Sequence, residues 1–298
     1  MSTSLNVALV AEFDLCEKLA EALEQSCLEI EKLSVVELFP FSEEQGIRFN
    51  NKSVEQRPLD ETEWSDFNYV FFAGDVAHAA HMAKAAQAGC VVIDLKGVCA
   101  SLSDVPLIVP SINDEQLVVL QRNIVSLPDP QVTQFVFSVS QFARENTLSQ
   151  VLVTSLLPAS YIDSDTVNKL AGQTAQLLNG IPLDEEQQRL AFDVFPSPKS
   201  TTSLAAQVEK IFPQLSNVIF HQVHVPVFYG MAQMVTLRSE YEFDAQAQLQ
   251  AWQANEFVDY REASALTPVT NGEAEAGEAP KLHIGGLIAL ENGMQFWL

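Results

Sequence analysis

LNVALVAEFDLCEKLAEALEQ (Leu5 to Gln25) decides the fold class of the first half of this chain. Leu5 to Val10 is an unbroken apolar run of strand length. Leu15, Leu19 and Leu23 then recur every four residues, with Ala20 and Ala22 filling in, which is the spacing of one helix face. Working outward, Leu28 to Leu38 reads as a second strand or strand pair, and YVFF (Tyr69 to Phe72) as a strong continuous strand. An alanine-rich helix is expected from about Val76 to Gln87, ending near Gly89. Val91 to Asp94 is the next strand, and Leu107 to Val109 another. Strands that alternate with helices, and are apolar on both faces, indicate βαβ units and a mostly parallel sheet covered on both sides. Residues 1–127 are therefore expected to form a Rossmann-like α/β domain.

The pattern changes after Pro128. A helix is expected from Gln131 to Glu145, then a strand from Val151 to Leu156. A second helix spans Ser164 to Leu178, capped by Asp163 or Ser164 and ended by Asn179-Gly180, with Val167, Leu170, Ala171, Thr174 and Leu178 as its expected buried face. Strands at Val218 to Val225 and Met234 to Leu237, helices near Ser203–Phe212 and Asp244–Ala254, and strands at Leu282 to Leu287 and Gln295 to Leu298 complete an α+β domain over residues 128–298. TPVTNGEAEAGEAPK (Thr267 to Lys281), with Glu273, Glu275 and Glu278, reads as an acidic surface loop.

The 298 residues are 47% hydrophobic, enough to bury a sizeable core. A net charge of −23 repels phosphate backbones and anionic lipid, which argues against nucleic acid and membrane surfaces as partners. No apolar run reaches membrane-spanning length, and the N-terminus has no basic stretch before its apolar segment, so it does not read as a signal peptide. Cys16, Cys27, Cys90 and Cys99 show no paired spacing and suit a cytoplasmic protein. Asp75, His78 and His81 share one face of a helix, a spacing that could hold a metal; a solvated helix edge is the plainer reading, and no metal is expected. His221 and His224 are three apart on a strand, so they point to opposite faces.

Several collinear blocks carry a family resemblance. They are FFAG (Phe71 to Gly74), GCVVID (Gly89 to Asp94), DVPLIVPSIN (Asp104 to Asn113), VTSLLPAS (Val153 to Ser160), LAGQTAQLLNGIPLDEE (Leu170 to Glu186), RLAFDVFP (Arg189 to Pro196) and VPVFYGMAQMV (Val225 to Val235). The chain resembles the aspartate-semialdehyde dehydrogenases over nearly its whole length. It is most similar to their Usg-type paralogue branch, through LLNGIPLDEE and PVFYGMAQM. The resemblance implies a Rossmann-like NAD(P)-binding-type domain followed by a semialdehyde-dehydrogenase dimerisation domain. It also implies a further closing segment beyond FWL (Phe296 to Leu298).

In that family a cysteine thiolate attacks the aldehyde, a histidine moves the proton, NADP accepts hydride and phosphate releases an acyl phosphate. Carried onto this chain, the positions hold other residues. Ala11, Asp14 and Glu17 occupy the three glycine positions of the cofactor loop, where side chains and carboxylates oppose a pyrophosphate. In LPDPQVTQ, Pro130 stands at the nucleophile's place, and proline cannot attack; it suits the first turn of a helix instead. Met231 takes the place of the base. His224 takes that of the substrate arginine without its guanidinium fork. Leu157 replaces the Gln of a Tyr-Gln-Ala run, Gln207 the substrate Glu, Ala100 the phosphate-binding Arg, and Lys96-Gly97 a cofactor-contacting Ser-Ser. Cys99 falls on a core position and reads as buried and inert.

Three functions stay open on sequence grounds. One is a non-catalytic paralogue that forms homodimers, or heterodimers with a true dehydrogenase, and binds no cofactor. The second is an active NADP-dependent semialdehyde dehydrogenase of amino-acid biosynthesis. The third is a small-ligand sensor using an old interdomain cleft.

Overall fold

The computed structural model describes residues 4–42, 46–198, 201–242, 244–262, 267 and 281–298. Most of the acidic stretch around Glu273, Glu275 and Glu278 lies outside these. The chain divides into two compact units, Met1–Asp129 and Pro130–Leu298.

The first unit runs β1 (Leu5–Ala11), α1 (Phe13–Glu24), β2 (Ile30–Glu37), a short hairpin of β3 (Arg48–Phe49) and β4 (Lys52–Ser53), β5 (Glu55–Pro58), β6 (Tyr69–Phe72), α2 (Ala79–Gln87), β7 (Val91–Asp94) and β8 (Ile124–Ser126). Six strands form one parallel sheet in the order β5-β2-β1-β6-β7-β8. The buried strands β1, β6 and β7 are apolar on both faces because a core lies on each side. Ala8, Val10, Val70, Phe72 and Val92 face one core; Val7, Leu9, Leu33 and Val35 face the other.

Leu107 to Val109 is not a strand. Only Leu107 forms an isolated bridge, to Ser126. The Asn113 side chain takes the neighbouring backbone groups, accepting from Val109 N at 2.8 Å and donating to Leu107 O at 2.8 Å, so no further ladder forms. The edge strand is β8 instead, three residues long and fully buried.

The second unit runs α3 (Pro130–Glu145), β9 (Leu148–Leu157), α4 (Ser164–Leu178), β10 (Phe195–Pro196), α5 (Thr202–Ile211), β11 (Val218–His224), β12 (Ala232–Ser239), α6 (Ala245–Ala254), β13 (Val258–Arg261), β14 (Leu282–Leu290) and β15 (Gly293–Trp297). Its seven-stranded mixed sheet has the order β10-β11-β9-β12-β15-β14-β13. α3, α5 and α6 lie against this sheet. The side chains alternate: Val151, Val153 and Leu157 of β9 are buried, while Leu152, Thr154 and Leu156 between them are only half-buried.

α4 has the bounds its sequence requires. Asp163 caps it, accepting from Thr166 N at 2.6 Å, and Gly180 leaves it at φ 71°. Its inward face differs from the expected one. Leu170 and Gln173 are buried and Val167, Thr174 and Leu177 half-buried, while Ala171 is exposed and Leu178 is 75% exposed. Gln173 replaces them because its amide fastens the chain beyond the helix. It donates to Gln188 O at 2.9 Å and accepts from Leu190 N at 2.7 Å and Ala191 N at 3.2 Å.

Candidate functional site

In the first unit the strand order reverses between β1 and β6. In open α/β sheets, ligands bind outside the carboxyl ends of the strands at such a point. Here β1 ends at fully buried Ala11, Glu12 is the extended N-cap, and α1 begins at once with Phe13. Cys16 N–H donates to Glu12 O at 3.0 Å. No glycine turn separates strand from helix. Asp14 lies in the first helical turn, and Asp14 and Glu17 are exposed. Carboxylates complement the positive end of the helix and oppose a second anion there. Cys16 is buried, with its Sγ toward Ala11 O at 3.6 Å, and burial pushes its thiol up to about 12.

On the neighbouring strand ends, Asp75 and His78 form a capping box ahead of α2, with His78 Nδ1 3.1 Å from Asp75 Oδ1. His81 stands 3.7 Å from Asp60, and burial holds its pKa below the ordinary histidine value. No group of three or more His, Cys, Asp or Glu among the described residues could hold a metal. At the end of β7, buried Asp94 accepts from Cys99 N and Ser126 Oγ, both at 2.7 Å. It folds the turn containing Lys96, Gly97 and Ala100 onto the sheet. Gly97 sits at φ 69°, and a Cβ there would come within 2.9 Å of Leu127 O. Ala100 is buried.

In the second unit the fold gathers three of the positions around the start of α3. Pro130 is the first residue of that helix and is exposed. Leu157, fully buried, ends β9 in register with His224. Ala232 pairs with Leu156, so half-buried Met231 lies just before β12 at the same end of the sheet. The Gln233 amide ties these elements together. It donates to Gln131 O and to Ser155 Oγ, each at 3.0 Å, and Gln131 in turn donates to Tyr161 Oη at 2.8 Å. Gln131, Ser155 and Gln233 are wholly buried.

Sequence reasoning passed over this buried polar cluster. Its trace in the sequence is a pair of polar residues, Ser155 and Gln233, in the buried phase of β9 and β12. His224 is buried and stacks on Phe195 with ring centroids 5.1 Å apart. It borders an apolar cavity of about 10 Å³ walled by Leu170, Leu190 and Val225, room for about one water. His221 is exposed on the other side of β11. Gln207 is half-buried on α5, which packs on α3 and β11.

Pro130, Leu157 and Met231 carry no group that titrates or attacks. All four cysteines lie in the first unit, so residues 130–298 contain no thiol. What stands at the helix start is a cluster of amides and hydroxyls that fastens α3 to the sheet and to Tyr161.

Residues 18–119 match the family model described as "Semialdehyde dehydrogenase, NAD binding domain". The chain is 56% identical to a USG-1 protein homolog of Haemophilus influenzae, over all of this chain and 92% of that one. The chain belongs to the aspartate-semialdehyde dehydrogenase family, in its Usg-type branch. It is 28% identical to aspartate-semialdehyde dehydrogenase 2 of Vibrio cholerae, over all of this chain and 93% of the other. The crystal structure of aspartate semialdehyde dehydrogenase II from Vibrio cholerae superposes with a TM-score of 0.90, covering 99% of this chain and 92% of that one at 26% identity. The Usg-type chain therefore shares the two-part family architecture. The crystal structure of aspartate semialdehyde dehydrogenase with NADP from Candida albicans has the same fold, with a TM-score of 0.71 at 13% identity over 99% of this chain and 93% of that one.

Proposed function

We propose that this Usg-type chain is a non-catalytic, dimer-forming paralogue of aspartate-semialdehyde dehydrogenase that works without a nicotinamide cofactor. The occupancy of the α3 start carries this reading. Pro130, Leu157 and Met231 take the places that the family resemblance gives to nucleophile, glutamine and base, and none of them can perform those steps. The acidic, glycine-free junction of Ala11, Glu12, Asp14 and Glu17 disfavours a pyrophosphate, and Ala100, Gln207 and His224 supply no guanidinium or carboxylate for substrate.

What remains is the second unit's surface, which we assign to dimerisation. The half-open sheet face carries Ile219 and His221 of β11, Leu152 and Thr154 of β9, and Met234 and Thr236 of β12, in register. Ile219 is 47% and Met234 40% exposed. This row bears no carboxylate, although the chain has 39 acidic residues, so two copies meet there without like-charge contact. Leu178, Phe192 and Tyr229 add further exposed apolar surface. The four free cysteines suit a reducing compartment, and we place the protein in the cytoplasm. No helix among the described residues is long and apolar enough to cross a membrane.

Three measurements on the purified full chain test the proposal. Sedimentation equilibrium is expected to give a dimer. Phosphate-dependent NADP reduction with aspartate semialdehyde is expected to equal the buffer blank, and NADP to leave the melting temperature unchanged. Turnover above the blank overturns the non-catalytic assignment. A monomer that captures only an active dehydrogenase overturns the homodimer.

A further inference from the structure

We propose that a groove between the end of α3 and α6, lined by none of the family positions, binds a small solute bearing a guanidinium group. The groove measures about 270 Å³ and is walled by Gln141, Phe142 and Asn146 of the α3 end, Glu242 and Asp244 before α6, and Gln248 of α6. Gln248 points to a ligand. It lies one turn before Trp252, whose indole N–H donates to Ser138 O at 2.7 Å, and both side chains are buried. Gln248 is only 4% exposed, yet its amide makes no hydrogen bond among the described residues. Buried amides are almost always paired, because an unmade hydrogen bond is costly. This amide is not sealed in the core; it opens on the groove.

The chemistry of the other walls selects the occupant. Glu242 and Asp244 supply carboxylates, and among the described residues no Lys or Arg lines the space. Asp244 uses Oδ1 to cap α6, accepting from Gln246 N at 2.9 Å and Ala247 N at 3.2 Å, which offsets the positive end of that helix. The last turn of α3 contributes its negative end. Phe142, 5% exposed, gives an apolar ring beside these acceptors. A planar cation with forked N–H donors satisfies the Gln248 carbonyl and a carboxylate together while lying against the ring; a compact ammonium satisfies fewer of these contacts.

Calorimetric titration of the full chain with agmatine, L-arginine and methylammonium tests this. Agmatine and arginine are expected to saturate one site, with methylammonium at least fivefold weaker. Gln248→Met keeps the side-chain volume, and Glu242→Gln changes an exposed rim residue only. Each is expected to weaken agmatine about fivefold or more. Absence of saturable agmatine binding overturns the proposal, as does equal affinity in both variants, or methylammonium binding as tightly as agmatine. The outcome is independent of the dimer and of any turnover.

Discussion

Replacing Ile219 with aspartate is expected to dissociate the dimer without unfolding the subunit. Ile219 is 47% exposed on the half-open face of the second sheet. Burying a whole isoleucine is worth roughly 1.5–3 kcal/mol, so its exposed half offers about 1 kcal/mol to a partner. In a two-fold interface each copy contributes once, giving about 2 kcal/mol. Aspartate forfeits that term and brings an unpaired carboxylate into an apolar contact, at a cost of roughly another 2 kcal/mol or more. A total near 4 kcal/mol weakens association about a thousandfold. Sedimentation equilibrium at low micromolar concentration is expected to show wild-type dimer and Ile219→Asp monomer, with the far-ultraviolet circular dichroism unchanged. Leu28→Asp, at a residue 48% exposed in the first unit, is the matched control and is expected to leave the dimer intact. An Ile219→Asp protein as dimeric as the wild type refutes the assignment of this face.

Three further outcomes are expected. Asp163→Ala removes the α4 cap and is expected to cost about 1 kcal/mol in urea unfolding at pH 7. Hydrogen bonds from Thr166 hold the Asp163 carboxyl below the usual range, so the cap's contribution is present above the unfolded value of about 3.9. It is lost as pH falls through the lower folded value, and the two proteins are expected to converge there; a constant gap refutes the electrostatic part. Gly293→Ala is expected to lower stability by about 2 kcal/mol or more, read as a drop in urea midpoint, because a Cβ there would collide with Leu237 O and Arg238 Cα of β12. Pro130→Cys combined with Met231→His is expected to leave NADP reduction at the blank, since Leu157, Gln207 and the acidic β1–α1 junction remain. Turnover by that double variant refutes the claim that the losses are distributed.

Local pattern alone determined the parallel first sheet, β7 to the residue, and α4 with its Gly180 exit, while Asp163 and Ser164 both stayed open as its cap. Apolar period, cap chemistry and left-handed glycine are properties of neighbouring residues. The residue types at Pro130, Met231, Asp14 and Glu17 were equally legible, and the proposed loss of chemistry rests on them. β8 and the failed strand at Leu107 to Val109 were not, because a three-residue strand is defined by its partner, and Asn113 competes for the same backbone groups. The inward face of α4 was misjudged because hydrophobicity says which side chains gain from burial but not whether anything is there to bury them. Gln173 found loop carbonyl and amide groups to bond, while Leu178 faces outward. The Gln131–Ser155–Gln233 cluster and the open amide of Gln248 depend on strand register and helix packing between segments as much as 102 residues apart. Only the tertiary structure brings those groups within hydrogen-bond reach or leaves one of them without a partner.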